Sequence, residues 1–460
     1  MRDQAEARAA NVSLGVGRLI EIIFVFGVFG LCLVRLAGFV HENAVDLLFN
    51  DQWDALDPLF EGRGPWSAFL RQHGPPRLGL GGLIDWYLYR ATDWNVRAEG
   101  WAGVAALGLS TTTAIAMAAR LRGRIRWSDA AFPLLLLSTA QWDTLTLTPF
   151  LAAKILPLLL TLLLAYAWSA ERPVWRLVGV SIFGPLTLFT GYGFCGAPVT
   201  IGLALLLWLR AEKKKTPSDR LLATWTLLIM LGAVAVFAYG YQWSPGTKEW
   251  RFPLPNGWDY PRFCALMFTN LLGFRGISAA STAMGSLALG LVLTAFFMAT
   301  IAIWRRQATA RVRVVWILIG TTLVYATMTA IGRLPTSLAA AFMGRYTTLM
   351  MPALCGLAFA IEEWASSRGP KWRIGFGLAW LALAGVIWSN FTPETHAATV
   401  AKAKRRWVAS YLETRDLEAA NRTADFVVYI PAPTSPVIAQ KLRWLEEHHL
   451  SFFRSSPDRK

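Results

Sequence analysis

Long apolar blocks, separated by short polar or basic segments, run through almost the whole chain. A block of about 20 apolar residues is the length that an α-helix needs to cross the hydrocarbon core of a bilayer. Some blocks are shorter, and these predict tilted or re-entrant segments. The pattern predicts about eleven transmembrane helices, at residues 19–40, 99–119, 131–140, 149–168, 177–190, 192–209, 221–242, 282–304, 314–331, 346–362 and 374–388.

Two polar regions stand apart from this pattern. The loop after the first span contains a broken apolar stretch at 78–90, which predicts an amphipathic helix on the membrane surface. The last 71 residues predict a helix at 398–412, a strand at 426–430 and a helix at 437–449, a small external α/β tail packed on the external loops. The predicted organisation is therefore a cytoplasmic tail at 1–18, a transmembrane domain at 19–389 with an external loop at 41–98, and an external tail at 390–460.

The composition excludes an ordinary soluble protein. Of 460 residues, 55% are hydrophobic and only 16% are charged, with 22 Trp to populate interfacial belts. The formal net charge of +16 does not indicate nucleic-acid binding, because the basic residues cluster in short loops between apolar blocks. Such clusters are typical of cytoplasmic loops that face anionic lipid. We therefore expect an all-α integral membrane protein.

The basic loops also predict an orientation. Loops at 120–126, 210–220 (with Lys213, Lys214 and Lys215), 305–313 and 368–373 should be cytoplasmic, which places the N-terminus inside and the C-terminus outside. The basic residues at 402–406 argue against this, but we expect an external tail. The four cysteines have no metal-binding or disulfide-framework spacing.

Polar residues with chemical potential collect at span ends on one predicted side. A carboxylate there can act as a base or bind a metal, and a guanidinium can hold a phosphate. The alternative is a solvated loop with an amphipathic helix. The residues are Asp51, Asp54, His73, Arg77, Asp85, Gln141, Asp143, Arg333, Arg345 and Tyr346.

Two of the candidate positions keep a structural alternative. Lys154 lies well inside a predicted span, so it is either functional or a lysine that extends to the membrane surface. Arg345 and Tyr346 could bind substrate or anchor a helix at the interface. No Walker loop, GxSxG elbow, HExxH or Rossmann motif occurs in a suitable context, which argues against an ATP-driven pump.

Several stretches resemble a known family. In order along the chain they are NDQWD, QHGPPRLGLGGLIDWYLYRATDWN, STAQWDTLTLTPF, LTLFTGYGFCGAPVT, AIGRLPTSLAAAFMGRYTTL and VIAQKLRWLEEHHLSFF. Together they resemble the GT-C superfamily of polytopic glycosyltransferases, most of all a bacterial branch of it. One departure is His73-Gly-Pro-Pro-Arg77, where the family pattern has an HNEHR-like string, so the central acid is lost.

The resemblance implies transfer of a sugar from a polyprenyl-phosphate carrier to a glycan, lipid or protein acceptor outside the bacterial cytoplasmic membrane. It implies that Asp51 is the base or a metal ligand and that Arg333 and Arg345 hold the phosphate. If a helix continues past Asn50, Asp54 lies about one turn after Asp51, where it could assist Asp51 or help to bind a divalent cation such as Mg²⁺ or Mn²⁺. We group the remaining candidates with the substrate: His73, Arg77, Gln141, Asp143, Lys154 and Tyr346.

Two other functional classes remain open. A flippase or transporter of a lipid-linked glycan would use the same arginines but would need no catalytic acid. A non-catalytic protein of envelope-polymer assembly is the third interpretation. The chain lacks the internal repeat typical of transporters, which favours the enzyme.

Overall fold

The computed structural model describes residues 2–211, 217–243, 250–390, 392–429 and 435–455. The described chain is helical and contains no β-strand, only an isolated bridge between Gln72 and Arg77. Its α-helices are α1 (Arg2–Asn43), α2 (Gln52–Ala55), α3 (Asp57–Phe60), α4 (Pro65–Leu70), α5 (Gly79–Ala91), α6 (Val96–Arg122), α7 (Ala131–Leu136), α8 (Ile155–Trp168), α9 (Pro173–Phe189), α10 (Gly196–Arg210), α11 (Pro217–Ala238), α12 (Asp259–Leu271), α13 (Ala279–Trp304), α14 (Ala310–Arg333), α15 (Met351–Arg368), α16 (Pro370–Trp388), α17 (Thr392–Thr414), α18 (Leu417–Ala424) and α19 (Ser435–Glu447).

Eight helices in the described chain are long and apolar enough to cross a membrane, and α8 and α9 are shorter apolar helices. This confirms a helical, multi-pass membrane architecture. The predicted span at 131–140 is wrong as a span, because α7 has six residues and is followed by a 3₁₀ turn at Thr139–Gln141. A six-residue helix is about 9 Å long and cannot cross a bilayer.

Contacts between the ends of helices define two ends of the helical bundle. The "site end" holds the end of α1, the start of α8 and the end of α14, and the "opposite end" holds the loops that join α8 to α9 and α13 to α14. The basic residues Lys213, Lys214 and Lys215, which mark one predicted cytoplasmic loop, lie outside the described residues.

Close backbone packing builds the site end. Gly191 has a φ of +51°, and a Cβ there would lie 2.0 Å from the carbonyl oxygen of Ala152. Its amide nitrogen donates a 2.8 Å hydrogen bond to the carbonyl of Arg77. Only glycine combines this left-handed backbone with so close a contact. The turn at Gly191 therefore packs the loop between α1 and α6 against the segment before α8.

The C-terminal tail packs on the loop between α1 and α6, the contact that the sequence predicts. A second apolar core, separate from the transmembrane core, contains Trp53 and Trp94 of the loop with Trp407, Tyr411 and Leu442 of the tail. The tail and this loop therefore lie at the same end of the molecule.

The predicted α/β character of the tail is wrong within the described residues. Residues 426–429 are irregular rather than a strand, and Ile430 lies outside the described part. The amide of Asn50 donates to the carbonyl of Val428 at 2.9 Å, but no neighbouring strand continues the pairing. Apolar alternation at 426–429 reflects burial against the loop, which the sequence pattern cannot distinguish from a strand.

Candidate functional site

A cavity of about 420 Å³ opens among the loops at the site end. Its walls come from the loop between α1 and α6, the segment before α8, the turn at Gly191 and the loop between α14 and α15. Eight of the eleven candidate residues, counting Lys154, line it: Asp51, Asp54, His73, Asp143, Lys154, Arg333, Arg345 and Tyr346.

Asp51 and His73 form the acidic side of the cavity. Asp51 Oδ1 lies 3.7 Å from His73 Nε2, and half of the Asp51 side chain is exposed. Burial raises the pKa of Asp51, but the nearby His73 and the charges of Arg345 and Arg333 outweigh it. The net effect lowers this pKa to about 2, so Asp51 is ionised at neutral pH.

Arg333 and Arg345 form the basic side of the same cavity. In the described ranges, neither guanidinium has a carboxylate partner in an ion pair, and the Arg345 side chain donates to Met343 Sδ at 3.1 Å. Partly buried arginines are normally paired with acids. Two guanidinium groups without acidic partners on one cavity wall form a positive surface that suits an anion.

Asp143 fixes the backbone that carries Arg345. Its Oδ2 accepts a 3.1 Å hydrogen bond from the Arg345 amide, and only 9% of Asp143 is exposed. Burial raises the pKa of Asp143, and Arg345 and Lys154 act in the opposite direction. Asp143 therefore acts as a structural acceptor whose charge borders the cavity.

Lys154 lies in a cage of tyrosines at the base of the cavity. Its Nζ donates to the Tyr325 hydroxyl at 2.9 Å and lies 3.4 Å from the centre of the Tyr192 ring. The Tyr346 ring is 5.6 Å away. Because only 4% of Lys154 is exposed, its side chain does not extend to the membrane surface. Cation–π contacts hold the ammonium group beside the cavity.

Tyr192 is a cavity residue that sequence reasoning missed. It lies in the stretch LTLFTGYGFCGAPVT, which was quoted for the family resemblance but supplied no candidate residue. The glycines on either side of Tyr192 were the available signal, because they allow a tight turn that points a large side chain into a site.

Three candidates do not line the cavity, and one of them, Asp85, is buried in α5 with 3% of the residue exposed. The Arg77 guanidinium donates to the carbonyls of Leu70, Phe237 and Tyr239, at 2.6 to 3.0 Å, and so joins the external loop to the end of α11. Gln141 is fully buried and donates to the carbonyl of Leu136 at 2.8 Å. Both are structural in this fold, because each is occupied with backbone carbonyl groups.

Asp54 reaches the cavity but is tied to the tail. Its Oδ2 accepts a 2.5 Å hydrogen bond from the Tyr429 hydroxyl. Asp57, expected to be solvated, instead pairs with Arg71 and with Lys441, the latter at 2.6 Å. Among the described contacts, Asp51 is therefore the cavity-lining acid of this loop that has no hydrogen bond or ion pair with the tail.

Hydrogen bonds among buried polar side chains hold the turn that carries Asp51 in place. The Gln52 side chain accepts from the Phe49 amide at 3.0 Å and donates to Glu99 at 3.1 Å. Glu99 also accepts from the Leu151 amide at 2.8 Å and from the Tyr89 hydroxyl at 2.7 Å. Glu99 thus connects the turn that carries Asp51 to the segment that precedes Lys154.

The donor set does not favour a metal ion held by protein side chains alone. Within the described chain, no three His, Cys, Asp or Glu side chains are close enough to bind a metal together. Asp51 faces His73, and Asp54 is hydrogen-bonded to Tyr429. We therefore assign no chemical step to a divalent cation.

Comparisons with known proteins identify no relative. No family model matches the chain, and no curated protein and no solved structure matches it. The resemblance to the GT-C superfamily therefore rests on the sequence stretches alone, and the functional argument rests on the cavity.

Proposed function

We propose that this chain is a membrane glycosyltransferase that transfers a sugar from a polyprenyl-phosphate carrier to an envelope acceptor. The observation that carries the proposal is one cavity with the ionised Asp51 on one side and Arg333 and Arg345 on the other. This arrangement matches a reaction in which an acceptor hydroxyl loses a proton and a phosphate leaves.

The arginines stabilise the leaving group. As the bond between the sugar and the phosphate breaks, negative charge grows on the phosphate oxygens. Fixed guanidinium groups at this position stabilise that charge more in the transition state than in the bound donor. The buried Lys154 amine lies beside this wall, held in place by Tyr192 and Tyr325.

Asp51 accepts the proton of the acceptor hydroxyl. A carboxylate with a pKa of about 2 is a weak base, but part of the lowering comes from Arg345 and Arg333. A bound phosphate neutralises these two charges, so the pKa of Asp51 rises when the donor is present. Donor binding thereby increases the basicity that catalysis needs.

We propose the bacterial cytoplasmic membrane as the location, with the site end outside and the N-terminus inside. The contact between the tail and the first external loop supports an external C-terminus, because the tail must share the side of that loop. The acceptor is a glycan, a lipid or a protein.

The test is turnover by the purified chain. The protein in detergent is mixed with a lipid extract that contains radiolabelled polyprenyl-phosphate sugars and with envelope acceptors, and sugar-free polyprenyl phosphate is measured. Enzyme activity releases the free carrier and labels an acceptor. If the carrier instead stays glycosylated while the reconstituted chain moves it between leaflets, the flippase is the correct function.

A further inference from the structure

Two apolar grooves flank α15 toward the opposite end of the molecule, and they share no lining residue with the candidate site. The first, of about 660 Å³, lies between α13, α14 and α15, and the second, of about 700 Å³, lies between α15 and α16. Leu357, Ile361 and Trp364 of α15 border both grooves. The grooves are therefore two sides of one helix.

The polar lining of the grooves lies at their loop ends, apart from Thr294 of α13, whose hydroxyl donates to the carbonyl of Gly290 at 2.8 Å. In the first groove it comes from the α13–α14 loop, with Gln307 and Thr309, and from the end of α15, with Glu363 and Ser367. In the second groove Lys371 provides the charged group. Each groove thus has a mostly apolar interior and a polar mouth, which suits an acyl chain that ends in a polar headgroup.

The mouths carry an excess of positive charge. Arg368 ends α15, Lys371 lines the second groove, and Arg305 and Arg311 border the loop that lines the first. Among the described residues, none of these four cations has an acidic partner in an ion pair. Glu363 is the carboxylate that lines a mouth. The neighbouring Glu362 is buried and pairs with Arg122 and Arg126, so it does not offset this charge.

Trp364 lies between the two mouths and lines both grooves. It is 48% exposed, the Arg368 guanidinium carbon lies 5.4 Å from its ring centre, and the Trp372 ring centre lies 5.3 Å away. Exposed tryptophan beside arginine is typical of the membrane interface. This position fixes where a headgroup would meet the protein.

We infer that this surface binds one anionic phospholipid, with an acyl chain in each groove and its phosphate beside Arg368 and Lys371. Charge selects the lipid, because a zwitterionic headgroup brings its own cation to a mouth that is already positive. The site is separate from the cavity that contains Asp51, so the inference does not depend on the proposed transferase activity.

The test measures lipid retention by native mass spectrometry. The purified chain is exchanged into detergent containing equal amounts of phosphatidylglycerol and phosphatidylcholine with identical acyl chains. Wild type should retain phosphatidylglycerol preferentially, and excess inorganic phosphate should not displace it. The double variant Arg368→Gln/Lys371→Gln should weaken retention about 30-fold, since each basic group near an anionic lipid contributes about fivefold.

Two further variants separate this site from general lipid attraction. Arg172→Gln/Arg220→Gln removes the same charge from the same end, at the starts of α9 and α11, which do not line the grooves, and should retain the lipid as wild type does. Ala360→Trp and Ala379→Trp narrow one groove each, and both should reduce retention while the arginines remain. Equal retention of both lipids by wild type, or equal loss in the distant double variant, would overturn the inference.

Discussion

The behaviour of single residues at the cavity depends on which neighbours the fold gives them. Arg77 and Arg345 both occur in stretches that resemble the family, yet Arg77 is saturated by three backbone carbonyls and Arg345 faces the cavity. The sequence identifies both as arginines near span ends and cannot distinguish them, since their partners lie up to 162 residues away. The same holds for Asp51 and Asp57, which differ in their contacts with the tail.

At Arg345, geometry as well as charge should determine affinity for the carrier. Arg345→Lys keeps the charge but loses the planar fork, so one charge-assisted hydrogen bond to phosphate is lost. We expect about tenfold weaker binding of polyprenyl phosphate, measured by titration of the purified variant. Arg63→Lys, at an exposed arginine between α3 and α4 that does not line the cavity, should bind as wild type does. Unchanged affinity in both Arg333→Ala and Arg345→Ala would remove this role.

The pH dependence of turnover should reveal the coupling between Asp51 and the arginines. Arg345 and Arg333 lower the pKa of Asp51, so their removal must raise it from about 2. A base is active when deprotonated, so a higher pKa moves the acidic limb of the rate profile to higher pH. In the double variant Arg333→Ala/Arg345→Ala, the acidic limb of the pH profile of kcat/KM should therefore lie at higher pH than in wild type. An acidic limb at unchanged pH would show that these arginines do not lower the pKa of Asp51.

At the scale of elements, the tail helix α17 helps to hold the segment that carries Asp143. Lys404 is fully buried, and its Nζ donates to the carbonyls of Leu147 at 2.5 Å and Thr146 at 3.4 Å. These carbonyls end the π-helical turn Asp143–Leu147. A π-helical turn is rare and often occurs at functional sites. The buried lysine thus links the tail to the cavity wall.

Replacement of this lysine should destabilise the protein. Lys404→Met keeps the length of the side chain but leaves two buried carbonyls without a donor, at a cost of about 1–3 kcal/mol for each. We expect a lower melting temperature for the purified variant. Lys402→Met, an exposed lysine on the same helix, should melt as wild type does. Equal melting of both variants would show that the link to Thr146 and Leu147 contributes nothing.

The long helices were predictable because their signal is local. Apolar blocks located α6, α13 and α14 within a few residues, and the amphipathic stretch at 78–90 appears as α5. The short span at 131–140 and the strand at 426–430 were not predictable. In both cases a brief apolar run is compatible with several structures, and contacts between distant segments decide among them.

At the scale of the whole molecule, the site end and the opposite end should face different sides of the membrane. The four native cysteines are buried, so single introduced cysteines can be labelled against a low background. Cysteine at exposed positions Glu61 and Glu413 should react with an impermeant reagent in intact cells, and cysteine at Arg172 only after permeabilisation. Labelling at 172 without labelling at 61 would reverse the orientation.

The most direct test of the central claim is a comparison of turnover and carrier binding in Asp51→Asn. The variant keeps the size of the side chain and removes its charge. If Asp51 is the base of a transferase, Asp51→Asn should lower turnover on the order of a hundredfold. The arginines should still bind polyprenyl phosphate with nearly wild-type affinity. A variant that binds the carrier and transfers sugar at the wild-type rate would contradict the account.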